Sequence, residues 1–303
     1  METRTSPGFT QRHPFLFGFL MIILAVALIA GATAFFAPER RGGIADRFAS
    51  ERIGVVEVYG TIERSEDITD WIAGLRDDDT VKGVLLHVDS PGGTIAPSQE
   101  IYQAVKDLAA VKPVVASYST VAASGGYYAS CPATVIVANP GSMTASIGVK
   151  VEYLNLKGLA EKLGVTQVQL VSGKNKGSGS PFADLAPEQR EALMSVIMDM
   201  HDQFVTDVAA ARDLPKEEVA AIADGRVLSG RQALDAGLVD MLGTREQAIA
   251  KLKELCGLAD RDVPVLYPPR EAPPLLDMIL GAVGVKPGTS IGLGSRLRIT
   301  YEQ

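Results

Sequence analysis

Strand-like and helix-like segments alternate along most of this chain, and this alternation limits its possible folds more than any other feature. Residues 53–59 and 83–88 are short, apolar and rich in β-branched side chains, which is typical of buried strands. Further strands are predicted at 114–118, 134–138 and 165–171, and helices at 97–108, 124–130, 156–163 and 187–212. Because strands separated by helices form parallel βαβ units, the predicted fold class is α/β.

The last predicted helix carries apolar residues at helical spacing, which predicts a face that packs in the core or against another subunit. These residues are Leu193, Val196, Ile197, Met200, Phe204 and Val208.

Charge and cysteine content exclude several classes of protein. The 29 Lys and Arg residues are outnumbered by 36 Asp and Glu, and no segment concentrates the basic ones, so nucleic acid is not expected as a partner. Cys131 and Cys256 are the only cysteines, no CxxC pair occurs and histidines number three. This composition predicts neither a disulfide framework nor a structural metal site, and no cofactor is expected.

An uncharged apolar run of 23 residues covers 15–37. As a helix it is about 34 Å long, enough to cross a hydrocarbon core of about 30 Å, so it is predicted to be a transmembrane anchor. A cleaved signal peptide is the alternative, since Ala32 and Ala34 have the small side chains of a cleavage site, but the run is long for such a peptide. Arginines flank the run on both sides and leave its orientation open.

The anchor divides the chain into predicted regions. These are an N-terminal cytoplasmic leader at 1–14, the transmembrane helix at 15–37, a linker at 38–52, the folded domain at 53–267 and a Pro- and Gly-rich tail at 268–303.

A candidate nucleophile lies in the sequence AASGGYY, where Ser124 leaves a strand and enters a helix beside Gly125 and Gly126. Backbone N–H groups at a helix N-terminus can stabilise an oxyanion, and glycine lets a substrate approach closely. The alternative is that Ser124 only caps the helix. A second Gly-rich turn, DSPGG at 89–93, follows another strand and can donate a further N–H.

The general base is harder to identify. His13 adjoins the predicted membrane helix, and His87 and His201 are interpreted as core or surface residues, so a Ser-His pair is not favoured. A lysine kept neutral by burial can accept the hydroxyl proton instead. The candidates are Lys174 and Lys176 in the sequence GKNKG.

Together these segments resemble the bacterial signal peptide peptidase A (protease IV) family, membrane-bound serine peptidases with the Clp-protease/crotonase fold of stacked ββα units. The resemblance covers about 53–243. It includes DSPGG at 89–93, AASGGYY at 122–128, SIGV at 146–149, GKNKGSGSPF at 173–182 and ADGRVLSGRQALDAGLVD at 223–240.

The resemblance implies a Ser/Lys dyad, with Ser124 as nucleophile and Lys176 as general base. The two residues are 52 positions apart, as in short, single-repeat members. The family pattern, in which Pro-Phe follows the base by five and six residues, selects Lys176 over Lys174. A cofactor is not implied.

Supporting roles are implied for three more residues. Gly93 and Gly125 match the N–H donors of the oxyanion hole, and Ser146 matches the hydroxyl that positions the lysine amine. The chain departs from the family at two positions, with Ala145 where glycine is frequent and Asn175 where an aromatic residue is frequent.

The block at 223–240 identifies the family but suggests no chemistry of its own. Its charged residues Arg226, Arg231 and Asp235 are expected to form salt bridges rather than to contact substrate.

The implied function is degradation of released signal peptides and similar apolar peptides at the bacterial inner membrane, with the catalytic domain on the extracytoplasmic side. The implied partners are peptide substrates, the membrane and other copies of the chain, in a ring-like homo-oligomer whose neighbouring protomers share each dyad. Two alternatives remain open: crotonase-type chemistry on a thioester, and an inactive anchored scaffold.

Overall fold

The computed structural model describes residues 51–268, together with Phe15 and Met21. Phe15 and Met21 belong to a compact unit at Met1–Ala49, and the remainder belongs to a second unit at Ser50–Gln303. The predicted leader, transmembrane helix, most of the linker and nearly all of the tail therefore lie outside the described residues. Of the residues that are described, none forms a helix long and apolar enough to cross a membrane.

The second unit contains one sheet and eight helices within the described residues. Its strands are β1 (Arg52–Ile62), β2 (Val81–Gly93), β3 (Val114–Ala123), β4 (Val135–Ala138), β5 (Met143–Ala145), β6 (Val227–Ser229), β7 (Met241–Leu242) and β8 (Val265–Leu266). Its helices are α1 (Glu66–Asp77), α2 (Ile95–Ala109), α3 (Gly125–Ser130), α4 (Lys157–Lys162), α5 (Pro187–Arg212), α6 (Lys216–Ile222), α7 (Gly230–Asp235) and α8 (Arg245–Leu255).

The sheet is mostly parallel and it branches at β3. The strand order is β6-β5-β3-β2-β1-β8, while β4 lies beside β3 and β7 lies beside β4. The first half of β3 pairs with β4 and its second half, Val121–Ala123, pairs with β5. Among the strand pairs of residues 51–268, only that of β5 with β6 is antiparallel. The predicted α/β class is therefore confirmed, and the branch places the end of β3 beside β5.

Side chains alternate between the two faces of the sheet, and each face has its own core. Val56 and Val58 of β1 belong to the larger core, which also includes Tyr127 of α3 and Phe204 of α5. Val55 faces the smaller core, formed with residues of α8. Both cores are needed because a parallel sheet has to be covered on both faces.

Most of the predicted elements are confirmed. Strands 53–59, 83–88, 114–118 and 134–138 correspond to β1 to β4, and helix 187–212 matches α5 at both ends. The structure adds the short strands β5 to β8, which were not predicted. Two or three residues are too few to give a periodic pattern in the sequence.

The predicted strand at 165–171 is wrong, since these residues form no strand. Val168 is 80% exposed and Leu170 is 97% exposed, so the apolar residues that suggested a strand are in contact with water. A strand requires a hydrogen-bonding partner, and no strand of the described residues pairs with this segment.

Helix α5 contributes to the core along only half its length. Phe204 and Val208 are fully buried, whereas Val196 is 52% exposed. The Phe204 ring stacks on Tyr128 with the centroids 4.4 Å apart. The predicted packing role therefore applies to the C-terminal half of the stripe.

This division of α5 predicts different costs for two truncations. Phe204→Ala should lower the free energy of unfolding by about 3 to 5 kcal/mol, because it removes a buried ring and leaves a cavity. Val196→Ala, on the exposed half of the same helix, should change it by no more than about 0.5 kcal/mol. Urea denaturation of the two variants measures both values, and equal losses would contradict the assignment of the core.

Candidate active site

Ser124 lies at the junction between β3 and α3 with an unusual backbone conformation. Its φ is 51° and its ψ is −121°, and its side chain makes no capping hydrogen bond to the helix. The interpretation of Ser124 as a simple helix cap is therefore wrong. A positive φ is costly for a residue with a Cβ, and such conformations occur where the surrounding structure imposes them, often at functional sites.

Hydrogen bonds on both sides hold Ser124 in this conformation. Its N–H donates to the carbonyl oxygen of Ala145 at 2.8 Å, and its own carbonyl accepts from the N–H of Tyr128 at 2.8 Å. Ser124 is 4% exposed, and all residues of α3 are buried. The candidate nucleophile is thus carried on a rigid part of the core.

The Gly-rich segment at 89–93 forms the end of β2 and not a turn after a strand, and it lies against the start of α3 beside Ser124. A Cβ added to Gly125 would lie 3.1 Å from the backbone nitrogen of Gly93, and one added to Gly92 would lie 2.9 Å from the Cβ of Ser124. Gly92 has a φ of 112°, a conformation that favours glycine. The structure therefore brings Ser124, Gly93 and Gly125 together, and only glycine fits this approach.

The nitrogens of Gly93 and Gly125 are suitable oxyanion donors by position. Gly125 is the first residue of α3, so its N–H has no acceptor within the helix. The end of β2 that carries Gly93 is fixed by Ser90, whose hydroxyl donates to the carbonyl oxygen of Gly60 at 2.6 Å and accepts from the N–H of Gly92 at 3.2 Å.

Ser146 follows Ala145 at the end of β5, and both residues have a positive φ, 51° and 62°. The N–H of Ser146 donates to the carbonyl oxygen of Arg226 at 3.0 Å, and its hydroxyl lies 3.4 Å from the carbonyl oxygen of Gly225. The conformation of Ala145 explains why glycine is frequent at this position in the family that the chain resembles.

A cavity of about 470 Å³ opens beside Ser124 and Ser146. Most of its wall is apolar: Pro91, Gly148, Val149, Met194, Ile197, Met198 and Ala223 line it. The side chains from α5 belong to the half of that helix that is not in the core. Sequence reasoning did not assign these residues to a site, and of the predicted apolar stripe of α5 only Ile197 lines the cavity.

Lys176 does not line this cavity. It lies in an exposed turn in which its N–H donates to the carbonyl oxygen of Gly173 at 3.0 Å, and Lys174 is exposed in the same turn. Within one chain, the structure therefore does not bring either candidate base to the cavity beside Ser124.

Three charged or titratable residues that sequence reasoning left out of the site do line the cavity. They are Lys150, His201 and Asp224. The ammonium group of Lys150 forms an ion pair with Glu152 at 3.3 Å, and Nε2 of His201 lies 2.7 Å from the carbonyl oxygen of Ala223. The structure adds to the interpretation of His201 as a core or surface residue that it lies on the cavity wall.

His87 is a core residue, as expected, with 8% of its surface exposed. Burial is the main cause that lowers the pKa of its imidazole, and the nearby Arg245 guanidinium lowers it further. Tyr59 packs edge-on against the ring at 5.5 Å. His87 does not line the cavity beside Ser124.

The expectation that charged residues of the block at 223–240 form salt bridges is confirmed in part. Arg226 forms an ion pair with Asp224 at 2.5 Å, and hydrogen bonds from Arg226 lower the pKa of this carboxyl to about 2. Arg231 and Asp235 form no salt bridge with any residue in the described range 51–268, so for these two the expectation is wrong. The block also supplies Gly225 and Arg226, whose carbonyl groups hold Ser146.

Comparison with known proteins identifies a peptidase family. The family model for peptidase family S49 matches residues 106–259. A protein of Methanocaldococcus jannaschii, provisionally named a protease, is 36% identical over 261 residues, which are 80% of this chain and 84% of the relative. A protein of Enterococcus faecium, provisionally named signal peptide peptidase SppA, is 40% identical over 193 residues, 62% of this chain and 55% of the relative.

Among solved structures, a mutant of ClpP1 from Listeria monocytogenes aligns with a TM-score of 0.45 and 16% sequence identity. The alignment covers 64% of this chain and 94% of that chain. The Clp-protease/crotonase form of the α/β fold stays a prediction from the sequence resemblance.

The left-handed conformation of Ala145 can be tested by comparing two alanine-to-glycine substitutions. Ala145→Gly and Ala116→Gly each remove a buried methyl group and add unfolded-state entropy, at a combined cost of about 1 to 2 kcal/mol. At Ala145 the φ of 62° offsets this cost, because an alanine there is strained by about 1 to 2 kcal/mol. Chemical denaturation should therefore show Ala145→Gly as the less destabilised by about 1 kcal/mol or more. Equal losses of unfolding free energy in the two variants would contradict the presence of strain at Ala145.

Proposed function

The chain belongs to peptidase family S49 and is a serine-type peptidase, and on that premise we propose that it is a membrane-anchored endopeptidase with a Ser124/Lys176 dyad. Its substrates are released signal peptides and similar apolar peptides. The observation that carries this proposal is the position of Ser124, which is held at a positive φ beside two backbone N–H donors and an apolar cavity.

The environment of Ser124 supports its role as the nucleophile. It lines the cavity, it is almost buried, and its hydroxyl makes no hydrogen bond with any residue that the structure describes. A hydroxyl that is free to turn towards a peptide carbonyl, on a backbone that cannot move, is a preorganised nucleophile. The N–H groups of Gly93 and Gly125 then receive the oxyanion.

Lys176 is proposed to act on the Ser124 of a neighbouring copy. Its exposure in one chain, where it does not line that chain's cavity, leaves it accessible to a neighbouring copy and supports this arrangement. The region around it also exposes large apolar side chains. They are Leu154, Leu159, Leu163, Val165, Val168, Leu170, Val171 and Phe182.

Apolar exposure of this kind is typical of a surface that another protein covers. A second copy of the chain seated there would remove water from Lys176 and favour its neutral amine. This supports the predicted ring-like homo-oligomer, in which the dyad is completed between protomers.

In the proposed reaction the neutral amine of Lys176 takes the proton of the Ser124 hydroxyl as the Ser124 oxygen attacks the peptide carbonyl carbon. The carbonyl becomes an oxyanion held by the N–H groups of Gly93 and Gly125. The C–N bond then breaks, and the leaving amine takes the proton back from Lys176. Water hydrolyses the resulting ester by the same proton transfers and regenerates Ser124. Ser146 orients the lysine amine.

The substrate class follows from the cavity and the predicted anchor. Methionine, isoleucine and valine side chains in the wall favour apolar peptide side chains over charged ones. An anchor at 15–37 would hold the site at the surface of the bacterial inner membrane, where apolar peptides accumulate. The catalytic domain is placed on the extracytoplasmic side, in agreement with the sequence resemblance.

Point variants of the full-length chain in detergent test the dyad with a fluorogenic apolar peptide. Ser124→Ala and Lys176→Ala should each lower kcat at least about 1,000-fold, because each removes a reacting group. Lys174→Ala and Lys150→Ala are the matched lysine controls and should retain most activity. If Lys150→Ala lost activity and Lys176→Ala did not, the general base would be Lys150, which lines the cavity.

Mixing two inactive variants tests whether the dyad is shared. If Ser124→Ala and Lys176→Ala chains are unfolded together and reassembled in equal amounts, about a quarter of the sites should combine an intact Ser with an intact Lys from a neighbour. Activity should therefore return to about that fraction of wild type. A mixture as inactive as its components, with oligomer size unchanged, would show that each dyad lies within one chain.

A further inference from the structure

One polar side chain of α5 reaches the turn beside the active site. His201 lines the cavity together with Ser124, and its Nε2 lies 2.7 Å from the carbonyl oxygen of Ala223. Because a carbonyl oxygen can only accept, Nε2 must carry a proton and donate it. This hydrogen bond joins α5 to the turn formed by residues 223–226.

The same turn holds the end of β5 where Ser146 lies. The N–H of Gly225 donates to the carbonyl oxygen of Ile147 at 3.1 Å, and the N–H of Ser146 donates to the carbonyl oxygen of Arg226 at 3.0 Å. The Ser146 hydroxyl faces the carbonyl oxygen of Gly225 at 3.4 Å. The conformation of Ser146, including its positive φ, is therefore set by the turn.

His201 adds a direct hydrogen bond between α5 and the turn, beside the core packing of Ala223, which is 5% exposed. The ion pair between Asp224 and Arg226 is internal to the turn and does not tie it to another element. Within residues 51–268, the bond from His201 to Ala223 is the hydrogen bond that connects residues 223–226 to α5. The apolar side chains Ile197 and Met198, one turn earlier on the helix, line the same cavity.

We propose that His201 is a positioning residue of the peptidase: through Ala223 it fixes the turn at 223–226, and through that turn it fixes Ser146 at the cavity. This inference rests on the proposed role of Ser146 in orienting the lysine amine. In this role the imidazole is a structural hydrogen-bond donor and takes no part in proton transfer. Nε2 is engaged by Ala223 and so is not directed at Ser124 as an acceptor.

The conservative replacement separates this role from others. Glutamine carries an N–H donor at nearly the distance of Nε2, whereas alanine carries none. In the full-length chain, His201→Ala should lower kcat by about 10- to 100-fold with KM changed less than about 2-fold, since misplacement of a catalytic group by about 1 Å costs rate rather than binding. His201→Gln should stay within about 3-fold of wild type.

Gln203→Ala is the matched control on the same helix, because Gln203 is exposed and does not line the cavity. It should leave both constants unchanged. A rise in KM alone for His201→Ala would make His201 a substrate contact. If His201→Gln were as inactive as Ser124→Ala, the imidazole would be a reacting group. Either result overturns the proposal.

A double-mutant cycle tests the route through Ser146. If His201 acts through that hydroxyl, adding His201→Ala to Ser146→Ala should lower kcat by less than about 2-fold further, although each single change lowers it strongly. Full multiplication of the two effects would show that His201 acts independently of Ser146 and would overturn the proposed route.

Hydrogen exchange gives a readout that does not depend on activity. The Ser146 amide donates to Arg226, so loosening of the turn should speed its exchange in His201→Ala and not in His201→Gln. If His201→Ala does not fold, His201→Asn replaces it, because the shorter amide does not reach Ala223. A wild type that cleaves no peptide would refute the proposed function. Unchanged exchange at Ser146 would refute the positioning role.

Discussion

The hydrogen bond from Ser124 to Ala145 is the interaction on which the geometry of the site depends. It joins the end of β3 to the end of β5, and it connects Ser124 and Ala145, both of which have a positive φ. Strain of about 1 to 3 kcal/mol at each such residue persists only where neighbouring structure imposes it. Here the buried helix α3 on one side and the paired strand β6 on the other impose it.

The branched sheet also explains how a small number of glycines defines the site. β2 ends beside the end of β3, and the glycines at the end of β2 lie against the start of α3. A side chain on Gly92 would push the end of β2 away from α3, since an added Cβ lies 2.7 Å from the nitrogen of Gly125. A side chain on Gly125 would clash with α2, since an added Cβ lies 2.5 Å from the hydroxyl oxygen of Ser98. Glycine is therefore required at these positions by packing, and this packing also places two N–H groups beside one hydroxyl.

Sequence reasoning located the parts of this molecule whose signal is local. Apolar β-branched runs gave β1 to β4, and a Pro at the first helical position gave the start of α5. The strand at 165–171 failed because a β pattern is realised only when a partner strand is available, which is a property of the whole fold. The place of His201 beside the cavity was not predicted for the same reason: its neighbour Ala223 is 22 residues away, and no spacing in the chain indicates that the two meet.

The exposure of Lys176 links assembly to chemistry. A lysine acts as a base only after water is removed from it, and a single chain leaves this one in water among uncovered apolar side chains. The exposed apolar side chains that would drive association therefore lie in the same segment as Lys176, the residue that association would activate. If these residues act as proposed, an unassembled chain would carry a nucleophile, an oxyanion site and a substrate cavity, but no competent base. The peptidase would be active only where enough copies meet, and an anchor in the membrane would raise their local concentration.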